Sequence, residues 1–403
     1  MRIINKRFIA ELILVFLYTL AVVGIARAQG GIEILEHAVS YQFNEWIRLE
    51  ARFASSETLV DGRVFLQIGE NHGAQVFTAS PDSQDRIVVE IELVEGIALT
   101  PFTDIDYWFV VSSEGGTIYE SPRYSFTYED NRFVWQSLPR GAFTIWWHSG
   151  SPAFGEAILS AAENGVTRTQ SLLPLPPPEQ LEFRVYDSAD EIRALLQLAG
   201  YGWVAGHTDP KLGIVLLSIA PGGQSSLEIE RQVPHEVAHA MLYQATGQEH
   251  YTKLPAWLIE GIASNAELYS DPQAQAMLET AYSEGNLLSL ASLCTSFPQE
   301  AQAARLAYAE ARSFVAYLRQ AFGVVGLGAL VDAYSGEDGC VQTPATVLGR
   351  DLAVLEADWA ATTFDPPGNV ERWLDAIPWT GIGVSALVAA ALAILLRWRS
   401  RAR

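Results

Sequence analysis

Residues 231–242 read "RQVPHEVAHAML". His235 and His239 stand four apart with Glu236 beside the first, in a stretch that is otherwise largely apolar. On an α-helix four residues turn about 400°, so the two imidazoles lie roughly 40° apart on one face. From there both can reach one tetrahedral cation, and Glu236, about 60° round from His239, can polarise a water held on that cation. Val237, Ala238, Ala240, Met241 and Leu242 cover the other faces, which makes the helix an interior one. A carboxylate and two imidazoles buried without a partner cost several kcal/mol, and a divalent cation removes that cost. The competing reading is a core helix that happens to contain imidazoles. With seven histidines in the chain, H-E-x-x-H arises by chance roughly once in a hundred such sequences.

A third protein ligand is needed. The H-E-x-x-H-x-x-G-x-x-H continuation demands Gly at 242 and His at 245, and Leu242 and Ala245 exclude it. Downstream, residues 254–267 read "LPAWLIEGIASNAE". Pro255 can start a helix that carries Glu260 on its second turn, with the small Gly261 and Ala263 allowing close approach to the histidine helix. His250, in the polar "GQEHYTK" of residues 247–253, is the rival ligand.

Before the histidines the texture is mixed. "WIRLEARF", "GRVFLQIG", "DRIVVEIEL", "DIDYWFVVSS" and "RYSFTYED" alternate or run apolar at strand length between turn residues. They predict an all-β, Ig-like or fibronectin-like sandwich of about seven strands over residues 29–130, with no cysteine for an inter-sheet bridge. "SSEGGTIYESP" predicts a hairpin with a Gly-Gly turn. From 131 onward the pattern becomes α+β. "FTIWWHSG", "LEFRVYD" and "LGIVLLSIAP" read as strands, the last as a buried or edge strand able to accept a peptide alongside. "SPAFGEAILSAAENGV" reads as a helix capped at Ser151 with Pro152 first, and "SADEIRALLQLAG" as another. The proline cluster "LPLPPPEQ" is read as a rigid connection. Beyond residue 226 nearly everything reads as helix.

The two ends predict targeting. A basic start, the apolar "FIAELILVFLYTLAVVGIA" and small residues at Ala26 and Ala28 form a signal peptide over residues 1–28. Residues 376–396 are 21 uncharged residues, about 31 Å as a helix and so about one hydrocarbon core, followed by the basic tail 397–403. The expected localisation is a single-pass cell-membrane protein with its bulk outside and its tail in the cytoplasm. The formal charge of −21 deepens to −28 once the three net positive charges of the leader and the four arginines of the tail are set aside. So acidic a surface argues against nucleic acid or anionic lipid as a partner. Cys294 and Cys340 are the two cysteines, and in an oxidising compartment they can pair.

"PHEVAHA" followed some twenty residues later by "PAWLIEGIA" resembles the gluzincin zinc metallopeptidases, specifically the peptidase MA-like domains. The likeness runs from about 131 to 364 and takes in "WVAGHTDPKLGIVLL" and "YAEARSFVAYLRQAFG". It implies a zincin fold over residues 131–366, Zn2+ as cofactor, His235, His239 and Glu260 as ligands, and Glu236 as general base. It implies an electrophilic donor from a helix after the third ligand, for which Tyr308 is the candidate and His207 the alternative; a core role for Tyr308 stays open. Many members place an acid four residues past the third ligand, where this chain has Ser264, whose hydroxyl is the remaining candidate to orient a histidine. The G-x-M-E-N segment of the aminopeptidase branch is missing, which points to an endopeptidase acting on peptide or protein substrates. The competing functional reading is a non-catalytic or narrowly specific cell-surface binding protein on a zincin scaffold; zinc content separates the non-catalytic form, and a pull-down with the zinc-bound Glu236→Gln chain separates the narrowly specific one.

Overall fold

The computed structural model describes residues 31–69, 73–93, 99, 101–199, 206–209, 212–269 and 271–365. The expected leader, membrane span and basic tail lie outside these residues. The chain forms two compact units, one built on residues up to Val134 together with 195–199 and one on the other described residues from Trp135 onward.

The first unit holds strands β1 (Ile32–Gln42), β2 (Trp46–Ser55), β3 (Leu59–Ile68), β4 (Gln75–Ala79), β5 (Arg86–Glu92), β6 (Asp104–Ser113), β7 (Ile118–Glu120) and β8 (Tyr124–Thr127). One antiparallel sheet has the order β1-β2-β5; the other runs β4-β3-β6-β7, with β8 also on β6. Alternation decides the inner faces: Ile47, Leu49, Ala51 and Phe53 of β2 and Ile105, Tyr107, Phe109 and Val111 of β6 are all buried. Phe53 meets Phe109 edge-on across the sandwich at 6.2 Å between ring centroids. Eight strands are described where about seven were expected. The Gly-Gly hairpin forms as expected, with Gly116 at φ 83° and its N–H donating to Ser113.

The second unit begins with β9 (Gln136–Arg140) and β10 (Phe143–Trp147), then α1 (Pro152–Leu172), β11 (Leu181–Tyr186), the first part of α2 (Ala189–Ala199), β12 (Gly206–Asp209) and β13 (Ile214–Ser218). The sheet order is β12-β13-β11-β10-β9. The inner pairs are parallel, and β9 and β12 are antiparallel edges. The segment "LGIVLLSIAP" is therefore an interior strand, paired on both sides; the edge is β12, and the expectation that β13 could take an added strand is corrected accordingly. β13 is apolar almost throughout because a parallel interior strand is covered on both faces.

Helices follow: α3 (Ser225–Thr246), the single turn α4 (Gln248–Tyr251), α5 (Ala256–Ala266), α6 (Pro272–Glu284), α7 (Ala301–Ala333), α8 (Gly339–Leu348) and α9 (Leu352–Phe364). α1 and α3 cover the sheet, joining Ile158, Leu159, Val233, Val237 and Met241 to Ile145, Phe183, Val215 and Leu217 in one core. A Cβ at Gly165 of α1 would lie 2.9 Å from Pro234 Cα, so only glycine permits this approach. A second core joins α5 to α7 through Trp257, Leu258, Ile262, Phe314 and Val315. Gly261 faces α7, where a Cβ would meet the Ala311 carbonyl at 2.5 Å and clash with Val315 Cγ2. The close contact with the histidine helix belongs instead to Ala263 and Ala266 against Ala238, which corrects the role expected of Gly261.

α7 is the described helix long and apolar enough to cross a membrane by length and composition. It breaks at Gly323 (φ 73°) and buries Ala307, Ala311, Phe314, Val315 and Leu318 inside the unit. Cys294 and Cys340 form a disulfide, with Cα atoms 5.9 Å apart.

Candidate metal centre

α3 delivers both histidines to one face, and their rings meet edge-on at 4.8 Å. The helix contains Pro234 immediately before His235. Proline has no N–H, so the carbonyl four residues back, that of Glu230, loses its helical donor. The N–H of Leu268 takes the place, donating to Glu230 O at 2.9 Å. The chain leaving α5 is thereby pinned to α3 one turn before the first histidine.

α5 starts at Ala256 with Pro255 as its cap. Its first free N–H groups are met by a neighbouring segment: Ala256 donates to Cys294 O at 2.9 Å and Trp257 to Leu293 O at 3.1 Å. With both ends held, Glu260 faces the histidines. Its Oε2 lies 3.3 Å from His235 Nε2 and 3.6 Å from His239 Nε2. That oxygen is buried and takes no well-formed hydrogen bond. Two atoms each about 2.1 Å from one tetrahedral ion sit roughly 3.4 Å apart, so the two spacings suit a shared zinc ion. The three residues are the described group of His, Cys, Asp and Glu side chains able to hold a metal, their ligand atoms all within 4.8 Å of one another.

The outward nitrogens are also occupied. His235 Nδ1 donates to Glu267 Oε1 at 3.1 Å, and Arg312 Nη1 of α7 donates to Glu267 Oε2 at 3.2 Å. His239 Nδ1 lies 3.1 Å from the Tyr251 hydroxyl. A proton on each Nδ1 leaves each Nε2 lone pair free for a metal. Burial disfavours charge on His235, but the carboxylates of Glu260 and Glu267 and the nearby charge of Glu236 outweigh it. The imidazole pKa rises to about 10 in the metal-free protein. Burial likewise raises Glu260, and the two imidazoles more than reverse it, holding the carboxyl below its ordinary range.

Glu236 is buried on α3. Its charge is felt by His235, Tyr251 and Tyr308. Tyr308 of α7 stands with its ring 6.3 Å from that of His235 and 40 % exposed, its edge against Phe297. Burial first, then the carboxylates Glu260, Glu236 and Glu267, push the Tyr308 hydroxyl pKa up and keep it protonated.

The rival ligand falls elsewhere. His250 donates its Nε2 proton to the Val331 carbonyl at 2.8 Å. His207 belongs to β12, and its side chain lies outside the described residues. Ser264 is buried, and the acid that holds His235 is Glu267, which corrects the orienting role expected of Ser264. Glu267 lies seven residues past Glu260, close to two helical turns and hence nearly the same face, a spacing legible in the sequence. Tyr251 carries no such signal, because Gly247 (φ 78°) turns the chain between it and His239.

The sequence profile of the Peptidase MA superfamily matches residues 161–365. The chain belongs to the peptidase MA superfamily. As a member it carries a metallopeptidase-type domain, and the matched residues contain every side chain of the centre just described. No curated protein matches the sequence. Among solved structures, an aminopeptidase N family protein from Idiomarina loihiensis is similar at 8% identity and TM-score 0.40, over 80% of this chain and 75% of that one. OgpA from Akkermansia muciniphila is similar at 14% identity and TM-score 0.22, over 25% of this chain and 30% of that one. This member of the superfamily thus spans under a third of the OgpA chain that it matches.

Proposed function

We propose that this chain is a membrane-anchored, extracellular zinc endopeptidase. His235, His239 and Glu260 hold the metal, Glu236 is the general base and Tyr308 the donor to the oxyanion. One observation carries the reading: Nε2 of both histidines and Oε2 of Glu260 converge on one point while both Nδ1 atoms are engaged from behind by Glu267 and Tyr251. A zinc ion held by these three residues would supply Lewis acidity for activating water and polarising the peptide carbonyl.

The chain's own groups do the rest. Glu236, buried beside the two histidines, is the group placed to accept a proton from water at the centre and to give it to the leaving amine. The Tyr308 hydroxyl, kept protonated by its surroundings, donates to the carbonyl oxygen as it gains charge. Glu267, braced by Arg312, and Tyr251 keep the imidazole planes fixed. An extended peptide lies along the open side of β12. The lack of a G-x-M-E-N segment supports cleavage within chains. Leader composition over 1–28 and the uncharged run 376–396 before four arginines support an anchored protein displayed outside the cell, with the sandwich of residues 29–130 as a spacer or binding module.

The test is metal analysis of the purified chain together with digestion of casein, with and without a chelator. About one zinc per chain, and hydrolysis lost to chelation and regained with zinc, are expected. Glu236→Gln is expected to retain zinc and lose hydrolysis by two to four orders of magnitude. Digestion that ignores both the chelator and the substitution would end the reading.

A further inference from the structure

The chain carries 47 acidic against 26 basic residues. Among the described residues every lysine and arginine but one has a partner, either an acid, a backbone carbonyl or a side-chain amide. Arg305 is the exception. It is exposed and makes no ion pair or hydrogen bond with any described residue. The N-cap acid of the same helix, Glu300, has its two oxygens on the N–H groups of Gln302 and Ala303.

Where this cation stands matters. At 100° per residue Arg305, Tyr308 and Arg312 share an arc of about 60° on α7. Arg312 reaches Glu267, which holds His235; Tyr308 lies against His235 itself. Arg305 continues this face outward, about 4.5 Å along the axis from Tyr308, and its long side chain adds to that reach, so an extended peptide running out from the centre passes it within two or three residues. Helix stability does not account for it, because a cation early in a helix meets the positive end of the dipole. Guanidinium is suited to binding a carboxylate through two parallel N–H donors, and the pair Tyr308–Phe297 beside it presents an apolar wall.

We propose that Arg305 is a specificity residue that binds a carboxylate of the substrate. The site then selects peptides with an acidic side chain, or a free terminal carboxylate, two or three residues from the bond cleaved. This rests on the peptidase reading above.

The test uses the full zinc-loaded chain and one neutral peptide sequence. Glu or Gln is placed two or three residues to either side of the cleaved bond, and each peptide is made with a free or an amidated C-terminus. The Glu peptide is expected to be preferred several-fold to about tenfold in kcat/KM, mainly through KM. In Arg305→Gln the ratio is expected to approach one, and in Arg305→Glu to invert. A response to amidation in place of the Glu-to-Gln change assigns the terminal carboxylate as the bound group. The same ratio in wild type and Arg305→Gln, or no carboxylate preference in wild type, overturns the proposal. If wild type cleaves none of the peptides, the peptidase reading is what fails. Fluorescence anisotropy with labelled Glu and Gln peptides then still decides on Arg305, since equal affinity for wild type and Arg305→Gln overturns its assignment.

Discussion

The N–H of Leu268 donates to the carbonyl of Glu230, the acceptor that Pro234 leaves without its helical partner. A helix defect one residue from His235, a candidate metal ligand, thus fastens the segment of chain carrying Glu267. Pro234→Ala restores a competing N–H. Zinc affinity is expected to fall about fivefold, the loss of roughly one hydrogen bond, while the melting temperature holds or rises. Competition against a chromophoric chelator measures it, and an unchanged affinity would show that Pro234 has no part in placing Glu267.

Glu267 bears on His235 directly. Glu267→Ala is expected to weaken zinc binding by ten- to a hundredfold, with Glu267→Gln intermediate because the amide oxygen still accepts from Nδ1. Arg312→Ala is expected to have a smaller effect of the same sign. Equal zinc affinities for wild type and Glu267→Ala would remove Glu267 from the centre.

On the other histidine the group to delete is a hydroxyl. Tyr251→Phe keeps the ring that packs against Tyr243 and removes only the oxygen near His239 Nδ1. Zinc affinity is expected to drop about tenfold. Histidine NMR of the zinc-loaded variant should show a shift at His239 and little at His235; the reverse pattern would mean that the two outward contacts are misassigned.

Between Cys294 and Cys340 the disulfide closes 46 residues, worth about 4 kcal/mol in the chain-entropy account. The Cys294 carbonyl also receives the N–H of Ala256, the first residue of α5. Cys294→Ala/Cys340→Ala is expected to melt lower and to exchange the amides of Ala256 and Trp257 faster, as read by hydrogen–deuterium exchange. Unaltered exchange there would confine the bridge to a general stabilising role.

Glu310 is fully buried. One oxygen accepts from the Leu288 N–H at 2.9 Å and the other has no hydrogen-bond partner. Burial raises its pKa, the Leu288 contact opposes this, and the charge of Glu356 adds to the rise, giving about 8 against an ordinary 4.5. The folded chain therefore keeps a proton that the unfolded chain releases, so stability is full below the ordinary value and declines as pH climbs toward 8. The slope for one such proton is at most about 1.4 kcal/mol per unit. Urea titrations at successive pH values are expected to show this decline in wild type and a flatter profile in Glu310→Gln. Parallel profiles would exclude Glu310 as its source.

Much of the centre was legible because its parts are local. The i, i+4 spacing of His235 and His239 and the apolar faces around them are properties of one helix, and Glu260 stands out as an acid in an apolar run. The sandwich strands were legible where inner and outer positions alternate, as in β2 and β6. β1 was not, since Glu33, Leu35, Glu36, His37 and Ala38 are all exposed and leave no alternation to read. Position within a sheet was also hidden: the apolar character of β13 fits an interior and an edge strand equally until its neighbours are known. Glu267 shares Glu260's helical spacing, but Tyr251 and the Glu230–Leu268 bond join residues that only the folded chain brings together.

Gly261 abuts the backbone of Ala311 with no space for a methyl group, and it directly follows the residue whose carboxylate faces the two imidazoles. The clearance between two helices and the aim of Glu260 are therefore one and the same tolerance. Whatever wedges the helices apart by the width of a carbon atom carries Glu260 away from its mates by a comparable amount, and the architecture keeps no slack there to absorb drift.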